Sequence, residues 1–126
     1  ITPATKLSLI RQPVPLGGCF TPTLEVLDAS GALDAKATGP CCFGGWSELC
    51  CDSTFVLKRG DAPLATITHL APRNFCDDET CAAICTDSDK FQVTFDATAS
   101  ATDKANAVAA GLLIDYMFFE IAQGMC

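Results

Sequence analysis

From Ala105 to Phe119 the chain reads ANAVAAGLLIDYMFF, a helical pattern with no polar face. At about 100° per residue, Val108, Leu112, Leu113, Ile114, Met117, Phe118 and Phe119 point all the way round the axis, broken only by Gly111 and Asp115. A helix that is apolar on every side must be enclosed, by protein or by lipid. Lipid fits poorly. Fifteen or so residues rise about 22 Å, against a hydrocarbon core of about 30 Å, and Asp115 inside that layer would cost about 3 kcal/mol. The expectation is a core helix over about residues 103–120, wrapped by the rest of the chain, with Asp115 as an anchor near its end.

The wrapping is legible upstream. Phe91, Val93 and Phe95 alternate with Gln92 and Thr94, as in a half-buried strand. Five more strands are expected at Lys6 to Arg11, Thr23 to Asp28, Leu33 to Thr38, Ser53 to Lys58 and Leu64 to His69, within residues 6–95. Gly, Pro, Asp and Ser punctuate them. Ser30-Gly31 and Arg59-Gly60-Asp61 read as tight hairpins, and Pro13 to Gly18 as a longer turn.

The stretch SDKFQVTFD followed by LLIDYMFFE resembles the carboxyl-terminal end of the phospholipid scramblase family, whose domain is similar to the tubby carboxyl-terminal fold. The likeness extends upstream through Gly39-Pro40-Cys41-Cys42 and the strand pair around Phe55 and Ile67, and covers most of the chain. It implies a mainly β fold with one long helix, an antiparallel barrel threaded by a central apolar helix. A sheet lying about 10 Å from a helix axis closes with roughly ten to twelve strands, and six are visible here. The expectation is therefore that residues 1–126 form the carboxyl-terminal half of a scramblase-like domain. Its barrel is partial or completed by a partner, and several hundred Å² of apolar helix surface stay uncovered unless something packs there.

Charge narrows the partners. Eight basic against fifteen acidic residues give a net charge of −7, which repels nucleic acid and anionic lipid at long range. The adjacent basic pair Lys58-Arg59 reads as a solvated strand end. The expected partners are other protein subunits, with membrane lipids as the alternative and nucleic acid excluded. No signal peptide or lipidation motif is visible, which leaves the organelle open; the expected location is intracellular and membrane-associated.

In the scramblase family a twelve-residue segment beginning Asp-x-Asp is proposed to bind calcium, and it maps here onto Asp87 to Thr98. The candidate ligands are Asp87, Asp89 and Asp96. The pattern departs from a calcium loop at Phe91, Phe95 and Thr98, where oxygen donors are needed. No other cofactor is expected. Of nine cysteines, the pairs Cys41-Cys42 and Cys50-Cys51 could supply four thiolates to zinc, although they lack the spacing of a knuckle. Reduced, buried thiols are the favoured reading, with a disulfide framework next and zinc last. The single histidine, His69, ends a strand with nothing to orient it as a base, and phosphate loops and dinucleotide fingerprints are absent. The chain is therefore read as a non-enzymatic binding or scaffold domain, an accessory subunit of a membrane-associated complex. The alternative is phospholipid scrambling or lipid binding under calcium control.

Overall fold

The computed structural model of the protein describes residues 7–13, 21–40, 51–71 and 90–119. Six strands follow one another as an antiparallel meander in the spatial order β1-β2-β3-β4-β5-β6: β1 Ser8–Arg11, β2 Thr23–Asp28, β3 Leu33–Thr38, β4 Ser53–Arg59, β5 Ala62–Leu70 and β6 Lys90–Phe95. Helix α1, Ala101–Ile114, continues as a π-helical segment, Asp115–Phe119. All six strands coincide with those expected from alternation, to within two residues at each end.

Hairpin chemistry fixes the register. In the β2–β3 turn, Asp28 Oδ1 accepts hydrogen bonds from the Ser30 and Ala32 backbone N–H groups and from the Ser30 hydroxyl, and Gly31 adopts φ 91°. Gly60 does the same service between β4 and β5 at φ 61°. Both are left-handed conformations that a Cβ would disfavour. The resulting pairs Val26↔Ala35, Ala37↔Leu57, Leu57↔Ala65, Phe55↔Ile67 and Ile67↔Val93 line up the apolar positions on one face. Register shifts at Val26/Leu27 and Leu57/Lys58 add local twist.

The sheet is curled, and the helix contacts show it. Helix α1 packs on β5, β6 and β1. In a flat six-stranded sheet β1 and β6 would lie about 24 Å apart, twice the diameter of a helix with its side chains, about 10–12 Å. Only a sheet bent towards closure brings both edges to one helix. The core is the filled concavity, with Leu24, Val26, Ala37, Phe55, Leu57 and Ile67 from the sheet against Ala107, Ala110 and Ile114 from the helix. The fold is thus mainly β, a half-barrel with one carboxyl-terminal helix.

Small residues set the close approach of helix to sheet. At Gly111 a Cβ would meet Ile67 Cγ2 at 3.6 Å and Val93 Cγ2 at 3.8 Å, ordinary contact distances. Gly111→Ala is therefore expected to stabilise the protein by about 0.5–1 kcal/mol through helix propensity, read as a raised midpoint in urea denaturation. A lowered midpoint would mean that the helix sits closer to β5 than the structure places it.

Candidate docking surface

The start of α1 is built from a short-range and a long-range device. Ser100 is the N-cap: its hydroxyl accepts from the Asp103 backbone N–H, and the Asp103 carboxylate accepts in return from the Ser100 N–H. This reciprocal capping box satisfies two donors that a helix start leaves free. Arg59, at the end of β4, then forks between two carboxylates. It meets Asp34 of β3 through two hydrogen bonds of 2.9 Å and Asp103 at 2.7 Å. Arg59 is thereby a clasp between sheet and helix, not the solvated strand end that its neighbour Lys58 remains. At the same end of the helix, the Ser8 hydroxyl of β1 donates to Asn106 Oδ1, and Lys104 Nζ sits 5.8 Å over the Phe95 ring of β6.

Asp103 is 4% exposed and lies beside a cation, so its carboxyl is held below its ordinary 3.8, chiefly by the hydrogen bond from Arg59. Its contribution to stability is complete above about pH 4 and is lost as pH falls through the depressed value. Asp28 and Asp96 are also held below their ordinary value, chiefly by hydrogen bonds from Ser30 and Thr98. Arg59→Ala leaves Asp103 buried without its cation. The expected loss is about 2 kcal/mol, below the 3–5 of a fully buried pair because Arg59 is half exposed. The share of the acid sensitivity that Asp103 contributes should disappear with it, while the shares of Asp28 and Asp96 stay. Equilibrium unfolding at pH 7 and pH 3 checks both; an equal acid loss in wild type and variant would contradict this role for Asp103.

The opposite side of the helix is open. Leu112 and Tyr116 are each 68% exposed and Val108 is 45% exposed, while Ile114 is fully buried. Leu113 and Met117 are half-buried against the core. Val108 and Leu112, expected inside, are therefore corrected to the surface: among the described residues, six strands reach round one side of the helix and leave the other bare. Leu7 and Leu9 are also exposed, on the convex side of β1, since Ser8 and Ile10 between and beside them face the helix and the core. Asp115 is the C-cap residue, half-buried, and its backbone N–H bonds to the carbonyls of Gly111 and Leu112. Phe118 and Phe119 fall in the π-helical segment, and their side chains lie outside the described set.

Of the calcium candidates, Asp87 and Asp89 lie outside the described residues. Asp96 closes a turn, its Oδ1 accepting from the Thr98 backbone N–H at 3.0 Å and from the Thr98 hydroxyl at 2.7 Å. Thr98, the weak point of the calcium pattern, thus serves as a donor to Asp96. Cys41, Cys42 and Cys50 are also outside the described residues, and Cys51 is exposed. Among the described residues no three His, Cys, Asp or Glu side chains group closely enough to hold a metal ion, and no helix is long and apolar enough to cross a membrane.

His69 is buried rather than at a strand edge. It pairs across from Ser53, and its ring lies 5.2 Å from that of Phe91 at a tilt of 55°. The expectation missed the Arg59 clasp because Arg59 and Asp103 are 44 positions apart. The local half, a Ser-x-x-Asp spacing ahead of an apolar run, was readable as a cap. Comparison of the chain with family models, with curated proteins and with solved structures gives no match, so the scramblase likeness stands on the residues quoted for it alone.

Proposed function

We propose that this chain is a scramblase-like, non-enzymatic scaffold domain that works by docking, as an accessory subunit of a membrane-associated protein complex. The observation that carries this reading is the bare apolar stripe Val108–Leu112–Tyr116, held rigid on a helix whose other face is core. Exposed apolar surface of this kind, rimmed by polar residues, marks an interaction site. Tyr116 offers a large, rigid contact with a polar tip, the sort of residue that anchors interfaces. The net charge of −7 favours a protein partner over an anionic lipid surface.

A photo-crosslinking residue at position 116, introduced in the cells that make this protein, tests the reading. It is expected to capture a different polypeptide, whereas the same residue at Thr54, on the convex face of the sheet, captures none. Equal capture at both positions would contradict it. The lipid alternative predicts instead that the isolated chain moves labelled phospholipid between leaflets of vesicles in calcium, and that Asp87→Ala abolishes the movement.

A further inference from the structure

Strand β1 pairs with β2 and, among the described residues, with no other strand. Two hydrogen bonds fix which of its groups point outwards. The Asp28 N–H donates to the Ala32 carbonyl and the Gly39 N–H to the Pro22 carbonyl, so Leu24, Val26 and Asp28 turn their main-chain groups towards β3, and Glu25 and Leu27 turn theirs towards β1. Glu25 and Leu27 stand opposite Arg11 and Leu9. Arg11 and Leu9 therefore bond to β2, while the N–H and C=O groups of Ser8 and Ile10 point away from the sheet, a template for one more strand.

The helix turns this edge into an apolar corner. Asn106 meets Ser8, whereas Gly111 lies against Ile67 and Val93, and Lys104 over Phe95. At about 100° per residue, Leu113, Ala109 and Tyr116 fall within about 80° of Asn106, on the side turned away from Gly111 and Lys104. Leu113 is half-buried, Ala109 exposed and Tyr116 68% exposed. A strand laid about 4.8 Å outside β1 would set its concave side chains against this flank and beside Ile10. On the convex face it would run beside Leu7, Leu9 and Arg11, all exposed.

Charge completes the description of the occupant. The row Leu7, Leu9, Arg11 ends in a cation that is 56% exposed and meets Glu25 through Nε alone, at 3.0 Å. The rest of the guanidinium fork is left for a second carboxylate. We propose that β1 is the acceptor for one extended segment of the partner protein, added antiparallel to the sheet, with apolar side chains beside Leu9, Ile10 and Tyr116 and a carboxylate opposite Arg11. The inference rests on the scaffold reading for the existence of that partner, and names how it is held: by main-chain bonds to Ser8 and Ile10 and by apolar contact with the helix. The chain itself contains a strand of this pattern. In β2, TLEVLD, Leu27 stands opposite Leu9, Val26 opposite Ile10 and Glu25 opposite Arg11. The same three pairs can be made from the outer side.

The peptide acetyl-TLEVLD-amide is therefore the probe, titrated into the isotope-labelled chain and followed through its amide resonances. Half-saturation is expected below about 1 mM. The Ser8 and Ile10 amides should exchange quickly with solvent in the free chain and slow down on binding, while those of Leu9 and Arg11 are slow throughout. N-methylation of the peptide valine blocks an N–H that faces β1 and should weaken binding about tenfold. N-methylation of its glutamate blocks one that faces away and should change binding less than about twofold. Arg11→Glu should weaken binding roughly fivefold, and the peptide acetyl-TLKVLD-amide should restore it, a rescue that a purely structural role for Arg11 would not give. In cells, crosslinking residues at positions 9 and 116 should capture the same polypeptide. No shift of a β1 amide at about 5 mM peptide, equal losses from the two N-methylations, or Ser8 and Ile10 amides already protected by a second copy of the chain would overturn the strand site. If position 116 still captures a different protein, the scaffold reading then stands without it; peptide uptake at β1 with no capture at 116 would uphold the strand site and overturn the scaffold reading.

Discussion

Ile114→Ala is expected to lower the free energy of unfolding by about 3 kcal/mol, and Leu112→Ala by less than about 0.5. The two residues are neighbours in the same apolar run and differ only in where the curled sheet reaches. Ile114 is fully buried against the sheet, so truncation leaves a cavity on top of the lost transfer energy. Leu112, 68% exposed, loses contacts it barely has. Urea titration of both variants reads the contrast directly. Similar losses at the two positions would mean that the helix is enclosed on both sides by this chain alone.

The second large effect is at Phe55, 1% exposed and the bulkiest fully buried side chain among the described residues. Phe55→Ala is expected to cost about 4 kcal/mol, enough to unfold a domain of ordinary stability at modest denaturant. Its ring is locked from one side by the chain itself. A Cβ at Gly39 would stand 2.4 Å from Phe55 Cε1 and 2.7 Å from Pro22 Cγ, while the Gly39 N–H bonds to the Pro22 carbonyl. Gly39→Ala should therefore also destabilise, by about 1–3 kcal/mol as overpacking. In the background of Phe55→Ala the part of that cost owed to the ring should vanish, while the part owed to Pro22 Cγ stays. Thermal denaturation of the two single variants and the double variant checks the coupling. Additive losses would place the Gly39 clash elsewhere.

The strands were legible because their signal is local. A period of two in residues such as Phe91, Val93 and Phe95 and turn chemistry at Ser30-Gly31 and Gly60-Asp61 need no knowledge of the rest of the fold. The helix was legible as an apolar run, yet its pattern misjudged exposure. A residue's hydrophobicity states what it prefers to touch, and whether Val108 and Leu112 find it depends on how many strands the wall contains. The missed clasp is long-range in the same sense. Nothing near Arg59 in the chain announces Asp103, and only the curl of the sheet brings β3, β4 and the helix cap to one point. Of the candidate ligands, Asp96 shows how a short acidic motif reads two ways, since the turn that holds Thr98 uses the same carboxylate that a cation would.

The scaffold reading follows from one geometric fact, that a single helix touches both edges of a six-stranded sheet and still shows its other face. Nuclear Overhauser contacts in isotope-labelled protein measure that most directly. The account predicts contacts from Gly111 to the methyl groups of Ile67 and Val93 together with contacts from Asn106 to Ser8, in the same molecule. Contacts to only one edge of the sheet, or contacts from Leu112 to Ile67, would contradict it.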